Sequence, residues 1–352
     1  MVCGIVAKAQ TAGTHYEEGI RFLSLNDNKA ALKSFTAAIN ADTSFYVAYT
    51  NRANVRYNLK DYHGAMRDIN RAVTLRPNGY DVYVARANMF TKLRKYSDAY
   101  DDYSKALELN PNMIEIVYQR ALVAKQLGDY EHGIRDIDSA LVITPGNDRL
   151  FALRAFLRTG AYDPGTQKGK ELLQEAIVDL DSAISYNSSN APYYDQRGEC
   201  KFELLRSLEA LADFNTAIEL DSANAEFYNN RGLVKMQIED YRSANRDFST
   251  AISLSPDKEY YFRNRGLTRF NGGKYKAAAS DYSKAISMIE EGMTNPNDKG
   301  TNFKLTNAYI VRGLAHISMK NNYAACMDFE KAVALGETKA KNYVQQYCAH
   351  GQ

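Results

Sequence analysis

Apolar residues recur along this chain at two spacings. Within short stretches they fall three or four apart, the period of a helix that buries one face, and the whole arrangement returns after 34 residues. The clearest marker is Arg231-Gly232 in NNRGLVKMQIEDYRSANRDF (229–248), with counterparts at Arg52-Ala53, Arg86-Ala87, Arg120-Ala121, Arg154-Ala155, Arg197-Gly198, Arg265-Gly266 and Arg312-Gly313. Repetition at this period marks an array in which each unit buries its apolar face against its neighbour. Cut accordingly, the chain gives nine units, 12–45, 46–79, 80–113, 114–147, 148–190, 191–224, 225–258, 259–305 and 306–339, with residues 1–11 before them and 340–352 after.

Numbered from 1 within each unit, position 8 is Gly or Ala throughout, from Gly19 to Gly313. Position 20 is Ala or Gly, position 27 is Ala, and position 24 is large and apolar, as in Phe35, Ile69, Tyr103 and Phe248. Small residues at 8 and 20 let two antiparallel helices approach closely, so each unit is expected to be a helical hairpin. Pro77, Pro111, Pro145 and Pro256 all stand at position 32, where proline ends one helix without breaking the next. Pro164, Pro192 and Pro296 likewise fall in expected loops or at a helix start. Two units exceed the period: GAYDPGTQKGK (160–170) and GMTNPNDKGTNFK (292–304) read as exposed loops and as candidate contact segments on a rigid scaffold.

A hairpin of this length with an aromatic at 4 (Tyr49, Tyr83, Tyr194, Tyr228), Gly or Ala at 8, Tyr at 17 (Tyr62, Tyr96, Tyr130, Tyr241, Tyr275), Ala at 20 and 27 and Pro at 32 resembles the tetratricopeptide repeat, over about residues 12–339. The resemblance implies an all-α fold, a right-handed superhelical solenoid of nine hairpins closed by a C-terminal capping helix. It also implies a non-catalytic scaffold whose first helices line a concave face and hold an extended peptide or a partner protein. Positions 2, 5, 9, 12 and 13 carry that role in the family. On this sequence they give the candidate ligand-binding residues Tyr16, Asn54, Tyr57, Asn88, Lys92, Tyr118, Lys125, Asp195, Glu199, Phe202, Asn229, Arg263 and Phe270. Amides pair with a peptide backbone and aromatic rings cover apolar side chains. Lys92 and Lys125 lie in the N-terminal half, whereas Asp195, Glu199 and Glu203 cluster near the middle, so the face is expected to read charge. The family's carboxylate clamp looks absent, because position 5 is never Lys, although Asn54 and Asn88 occupy position 9. Two alternatives stand beside this reading: self-assembly through exposed repeat edges, and an enzyme-associated subunit or cryptic enzyme with its site at the two insertions.

Position 7 is Arg and position 23 is Asp in eight of the nine units; the first carries Glu18 and Ser34 instead. An active site needs one special constellation, so eight copies point to a ladder of structural ion pairs, within a unit or across to the next.

Composition narrows the partners. Lys plus Arg number 44 against 42 Asp plus Glu, a net charge of +2 that gives no reason to expect a strongly basic face for nucleic acid. No apolar run approaches the roughly 18–20 residues that span a bilayer. Cys3, Cys200, Cys326 and Cys348 form no CxxC and are widely spaced, so inert thiols are expected, with neither a zinc site nor a disulfide framework. The five histidines never reach a ligand spacing, and GxSxG, GxxxxGK[ST] and GxGxxG after a strand are all missing. No cofactor, metal or enzymatic activity is expected. Residues 1–9 leave two readings open: the remnant of a secretion signal, which would place the protein in the periplasm or cell envelope, or a disordered start to a cytoplasmic chain. At the other end, the last helix looks like the ending of many bacterial repeat proteins, with Tyr343 and Tyr347 covering the exposed edge of the final hairpin.

Overall fold

A computed structural model describes residues 2–293, 295 and 298–348, the side chains of residues 2–9 excepted. The expectations for Pro296, for His350 and for the end of the 340–352 segment lie outside the described residues, as does the side-chain chemistry of residues 1–9. Among the described residues there are nineteen helices and no strand. They divide between two compact units, Met1–Pro164 and Gly165–Gln352. Unit 1 holds α1 (Val2–Ser24), α2 (Asn28–Ala41), α3 (Tyr46–Asn58), α4 (Tyr62–Leu75), α5 (Tyr80–Lys92), α6 (Tyr96–Leu109), α7 (Ile114–Gln126), α8 (Tyr130–Ile143) and α9 (Asp148–Gly160). Unit 2 holds α10 (Gln167–Tyr186), α11 (Ala191–Glu203), α12 (Ser207–Leu220), α13 (Ala225–Gln237), α14 (Tyr241–Leu254), α15 (Glu259–Asn271), α16 (Tyr275–Glu291), α17 (Lys299–Ser318), α18 (Asn322–Ala334) and α19 (Ala340–Cys348). Within each unit every helix packs on the next along the chain.

The boundary between units falls inside the 160–170 insertion, so the two helices of the 148–190 stretch belong to different units. The insertions are also shorter as loops than their Gly and Pro content suggests. Thr166 caps α10 by accepting from the Gly169 N–H at 3.0 Å, and Asp298 caps α17 by accepting from the Thr301 N–H at 2.8 Å. Each cap satisfies a helix-end donor, and residues 167–170 and 299–304 therefore extend helices rather than loops.

Close approach at position 8 has a visible cause. The ring at position 24 lies flat under it: a Cβ added to Gly232 would come within 2.9 Å of Phe248, at Gly198 within 2.9 Å of Phe214, and at Gly313 within 2.6 Å of Phe329. At Ala53 and Ala121, where position 8 carries a methyl, position 24 holds the slimmer Ile69 and Ile137, whereas Ala87 is matched with the Tyr103 ring. Turns between paired helices place one residue in the left-handed region, glycine at Gly128 and Gly273 but Lys60, Arg94, Leu205 and Glu239 elsewhere. The following N–H returns to the helix end, as from Asp61 to the Arg56 carbonyl at 2.8 Å.

The Arg and Asp of positions 7 and 23 meet in a two-pronged pair inside seven of the hairpins. Arg231 Nε and Nη2 donate to the two oxygens of Asp247 at 2.9 and 2.7 Å, and the same fork joins Arg52 to Asp68, Arg86 to Asp102, Arg120 to Asp136, Arg197 to Asp213, Arg265 to Asp281 and Arg312 to Asp328. The spare Nη1 reaches back to the preceding second helix: to Thr36 from Arg52, to Asn70 from Arg86, to Asn215 from Arg231 and to Ser249 from Arg265. An aromatic at position 4 lies against each guanidinium, as Tyr228 does at 5.6 Å from Arg231; in the fourth hairpin, where that position is Val117, Tyr100 takes the place at 5.5 Å from Arg120. One guanidinium thus fixes a hairpin and its register on the hairpin before it.

At the end of unit 2, Tyr343 stacks on Phe329 at 5.1 Å and Tyr347 lies 6.2 Å from the same ring. The expectation of inert thiols fails here. Cys326 on α18 and Cys348 on α19 form a disulfide, with Cα atoms 5.7 Å apart. Their spacing of 22 residues matches no cysteine motif; the antiparallel return of the capping helix brings them together. Cys200 is free and buried, and burial pushes its thiol up to about 12.

Candidate functional site

First helices of successive hairpins also touch one another, α3 with α5, α7 with α9, α11 with α13, α13 with α15 and α15 with α17. This closer approach makes theirs the inner face of each unit, and the side chains at positions 2, 5, 6, 9 and 12 meet across it.

In unit 1 the inner face joins cations to aromatic rings. Lys92 Nζ stands 5.4 Å from the centre of the Tyr57 ring and 3.4 Å from Asn54 Oδ1, while the Tyr57 hydroxyl donates to the Lys92 carbonyl at 3.2 Å. Lys125 Nζ sits over Phe156 at 3.1 Å, and burial lowers its pKa from the usual lysine range. Arg149 lies 4.9 Å from the Tyr118 ring. Cation–π contact holds these ammonium and guanidinium groups on the face without neutralising them. Two other candidates are tied inward: Asn88 accepts from the Tyr103 hydroxyl at 2.6 Å, and Tyr16 packs on Phe35 and Phe45 while its hydroxyl accepts from Asn51 at 3.1 Å.

In unit 2 the same face is acidic and amide-lined. Asn230 Nδ2 donates to both Asp195 Oδ1 and Glu199 Oε1 at 3.1 Å, so two carboxylates share one amide group. Asn229, almost fully buried, donates to Asn230 Oδ1 at 3.2 Å and accepts from Asn264 at 2.9 Å, which extends the row over three helices. Glu226 accepts from the hydroxyl of Tyr261 at 2.9 Å and from that of Tyr260. Burial pushes the Asp195 carboxyl up to about 6, against the stabilising Asn230 bond and with help from Glu226. Burial and the neighbouring Asp195 charge push Glu199 up to about 7. Glu199 nonetheless keeps solvent access, because the inner face crowds the carboxylate without closing over it. Burial and the bond to Glu226 push the Tyr260 hydroxyl up to about 12.

The remaining candidates sit closer to the packing. Arg263 stands 4.0 Å from Glu259, which Lys304 also approaches at 3.0 Å. Phe202 is partly buried against Ala210, Phe214 and Val234, and Phe270 meets Tyr275 edge-on at 5.5 Å. The sequence reading missed Glu226, Asn230, Tyr260 and Asn264. Their signal was periodic: position 6 is Gln196, Asn230 and Asn264 in three consecutive hairpins, and position 2 holds Glu226 and Tyr260.

Tetratricopeptide repeat models match residues 80–113 and, for a second model, 16–80 and 230–296. No curated protein matches the sequence. Among solved structures the chain is similar to a tetratricopeptide repeat protein from Parabacteroides merdae, with 22% identity, 74% of this chain and 99% of that one covered, and a TM-score of 0.56. It is also similar to the C-terminal part of a repeat-containing protein from Cytophaga hutchinsonii, at 17% identity, 73% and 97% coverage and a TM-score of 0.55. The human IFIT1 dimer with m7Gppp-AAAA aligns at 16% identity over 96% of this chain and 81% of that one, with a TM-score of 0.52. At these identities the likeness speaks for the fold. The repeated hairpin, its ladder and these matches agree: the chain carries tetratricopeptide repeats, whose fold supports a protein-interaction scaffold in general.

Proposed function

We propose that the protein is a non-catalytic scaffold that holds an extended peptide, or an extended segment of a partner protein, along the inner face of its first helices. The observation that carries this reading is the Asp195–Asn230–Glu199 arrangement. Two carboxylates share one amide, and crowding them raises their pKa at a cost to stability. A basic side chain or a run of backbone N–H groups would offset that crowding. In unit 1, Lys92 and Lys125 offer the opposite chemistry, donors for carbonyl or carboxylate groups, beside rings that cover apolar side chains. The near balance of charge over the whole chain supports a protein or peptide partner rather than a nucleic acid.

The test is a peptide array probed with the full chain and with a variant carrying Lys92→Ala, Lys125→Ala, Asp195→Asn and Glu199→Gln, both checked as folded by circular dichroism. Peptides retained by the wild type and lost by the variant bear out inner-face recognition. Retention of the same peptides by both would move the binding surface elsewhere.

A further inference from the structure

The Cys326–Cys348 disulfide is the covalent tie between α18 and the capping helix α19. Beneath α19 lies the apolar end of the last hairpin: Ala325, Phe329 and Ala332 are completely shielded, as is Ala340 at the start of α19 itself. The cover is thin. α19 has nine residues, a length at which a helix does not persist in water without support from elsewhere, and Gly336 in the left-handed region begins the turn that brings it back. A cavity of about 350 Å³ opens beside the disulfide, walled by Tyr323, Met327, Glu330, Tyr347 and the two cysteines, and Tyr323 at its rim is 80% exposed. The sulfurs are therefore within reach of a small dithiol.

We propose that this disulfide is a redox latch on the end of unit 2. A thiolate of a dithiol reductant attacks one cysteine sulfur, which forms a mixed disulfide and expels the other cysteine as a thiolate that takes up a proton. The second thiol of the reductant then displaces the first cysteine, leaving two cysteine thiols and the reductant oxidised to its own disulfide. Once opened, α19 is held by non-covalent contacts only, its two rings on Phe329 and the shielded Ala340, and its release bares the apolar surface of α18. Oxidation closes the end into a finished surface; reduction turns the same end into an apolar contact surface.

The experiment uses the full chain with Cys3→Ser and Cys200→Ser, so that the pair is the remaining thiol chemistry, and dithiothreitol as the reductant. Trypsin sites at Lys339 and Lys341 bracket the start of α19. The latch requires one cross-linked peptide containing Cys326 and Cys348 before reduction, and roughly tenfold faster cleavage at Lys339 and Lys341 after it, with the rest of the cleavage pattern and the helical circular dichroism unchanged. A further Cys348→Ser substitution should give the fast cleavage without reductant. Three results overturn the proposal: separate cysteine peptides before reduction, an unchanged cleavage rate after complete reduction, or faster cleavage throughout the chain, which would make the bond a staple for the whole unit.

Discussion

Unit 1 sets Lys92 and Lys125 against aromatic rings on its inner face, whereas unit 2 sets Asp195 and Glu199 around a single amide. The hairpins beneath are the same, with the same arginine fork and the same small-to-large contact between positions 8 and 24. The supporting ladders differ too. In unit 2 the ladder aspartates gain a second cation from position 11, Lys201 on Asp213 at 2.7 Å, Lys235 on Asp247 at 2.8 Å and Arg269 on Asp281 at 2.7 Å. In unit 1 this occurs at Arg56 on Asp68, while Phe90 and Ala124 hold that position in the next two hairpins. The difference teaches that the repeat separates its tasks by position. Positions 7, 8, 20, 23, 24 and 27 hold the hairpin, and the inner positions are left free to vary.

The largest effect is expected at Asp247. Asp247→Ala strands both Arg231 and Lys235 in a largely buried setting and should cost about 3 kcal/mol, whereas Asp136→Ala strands one guanidinium at a wetter site and should cost about half as much in urea unfolding. Replacing the pair together, Arg231→Met with Asp247→Leu, should be far milder than Asp247→Ala, because the guanidinium leaves with its carboxylate and Lys235, on a flexible stem, is the one cation that loses its partner. Equal losses from the single and paired changes would break the ladder account.

Next comes the ring contact. Gly232→Ala drives a methyl to within 2.9 Å of Phe248 and should cost about 1–3 kcal/mol. Ala121→Gly leaves Ile137 in place and should cost about 1 kcal/mol through backbone freedom and lost packing. A smaller and pH-dependent effect belongs to the acidic inner face. Because the Asp195 and Glu199 pKa values are raised, the folded chain holds more protons than the unfolded one from about pH 4 upward, so their contribution to stability falls as pH rises to about 7. Asp195→Asn with Glu199→Gln should therefore raise the melting temperature at pH 8 and leave it unchanged at pH 4. A variant less stable at pH 8 would reverse the assigned cost. The smallest change is Lys60→Gly, which should stabilise unit 1 by about 1 kcal/mol by relieving its left-handed backbone.

How far the sequence alone reaches follows from the same division of tasks. The hairpins, the Arg–Asp ladder and the Tyr343 and Tyr347 cap were legible because their residues recur at a fixed period or fall one helical turn apart. Position 11 is also periodic, but Lys201, Lys235 and Arg269 pass for solvated charges until the buried aspartate is in view. The disulfide was not legible, because Cys348 lies outside the repeat, on α19, and a chain reversal brings it to Cys326 on α18. Nor was the break at Pro164–Gly165, since the 160–170 insertion hides a helix cap, Thr166, among turn-forming residues, as the 292–304 insertion hides Asp298. On the inner face, spacing pointed to Asp195 and Glu199, yet what makes them a site is Asn230, one position beyond the family's binding set.

The most direct test is fluorescence anisotropy of a labelled extended peptide bearing lysines at alternate positions, set against the same peptide with glutamates, at pH 8 and pH 5. Wild type should bind the lysine peptide at pH 8 and lose it at pH 5, where Asp195 and Glu199 take up protons; the Asp195→Asn, Glu199→Gln variant should bind it at neither. Equal binding of the lysine peptide by wild type and variant at pH 8 would contradict the assignment of this face.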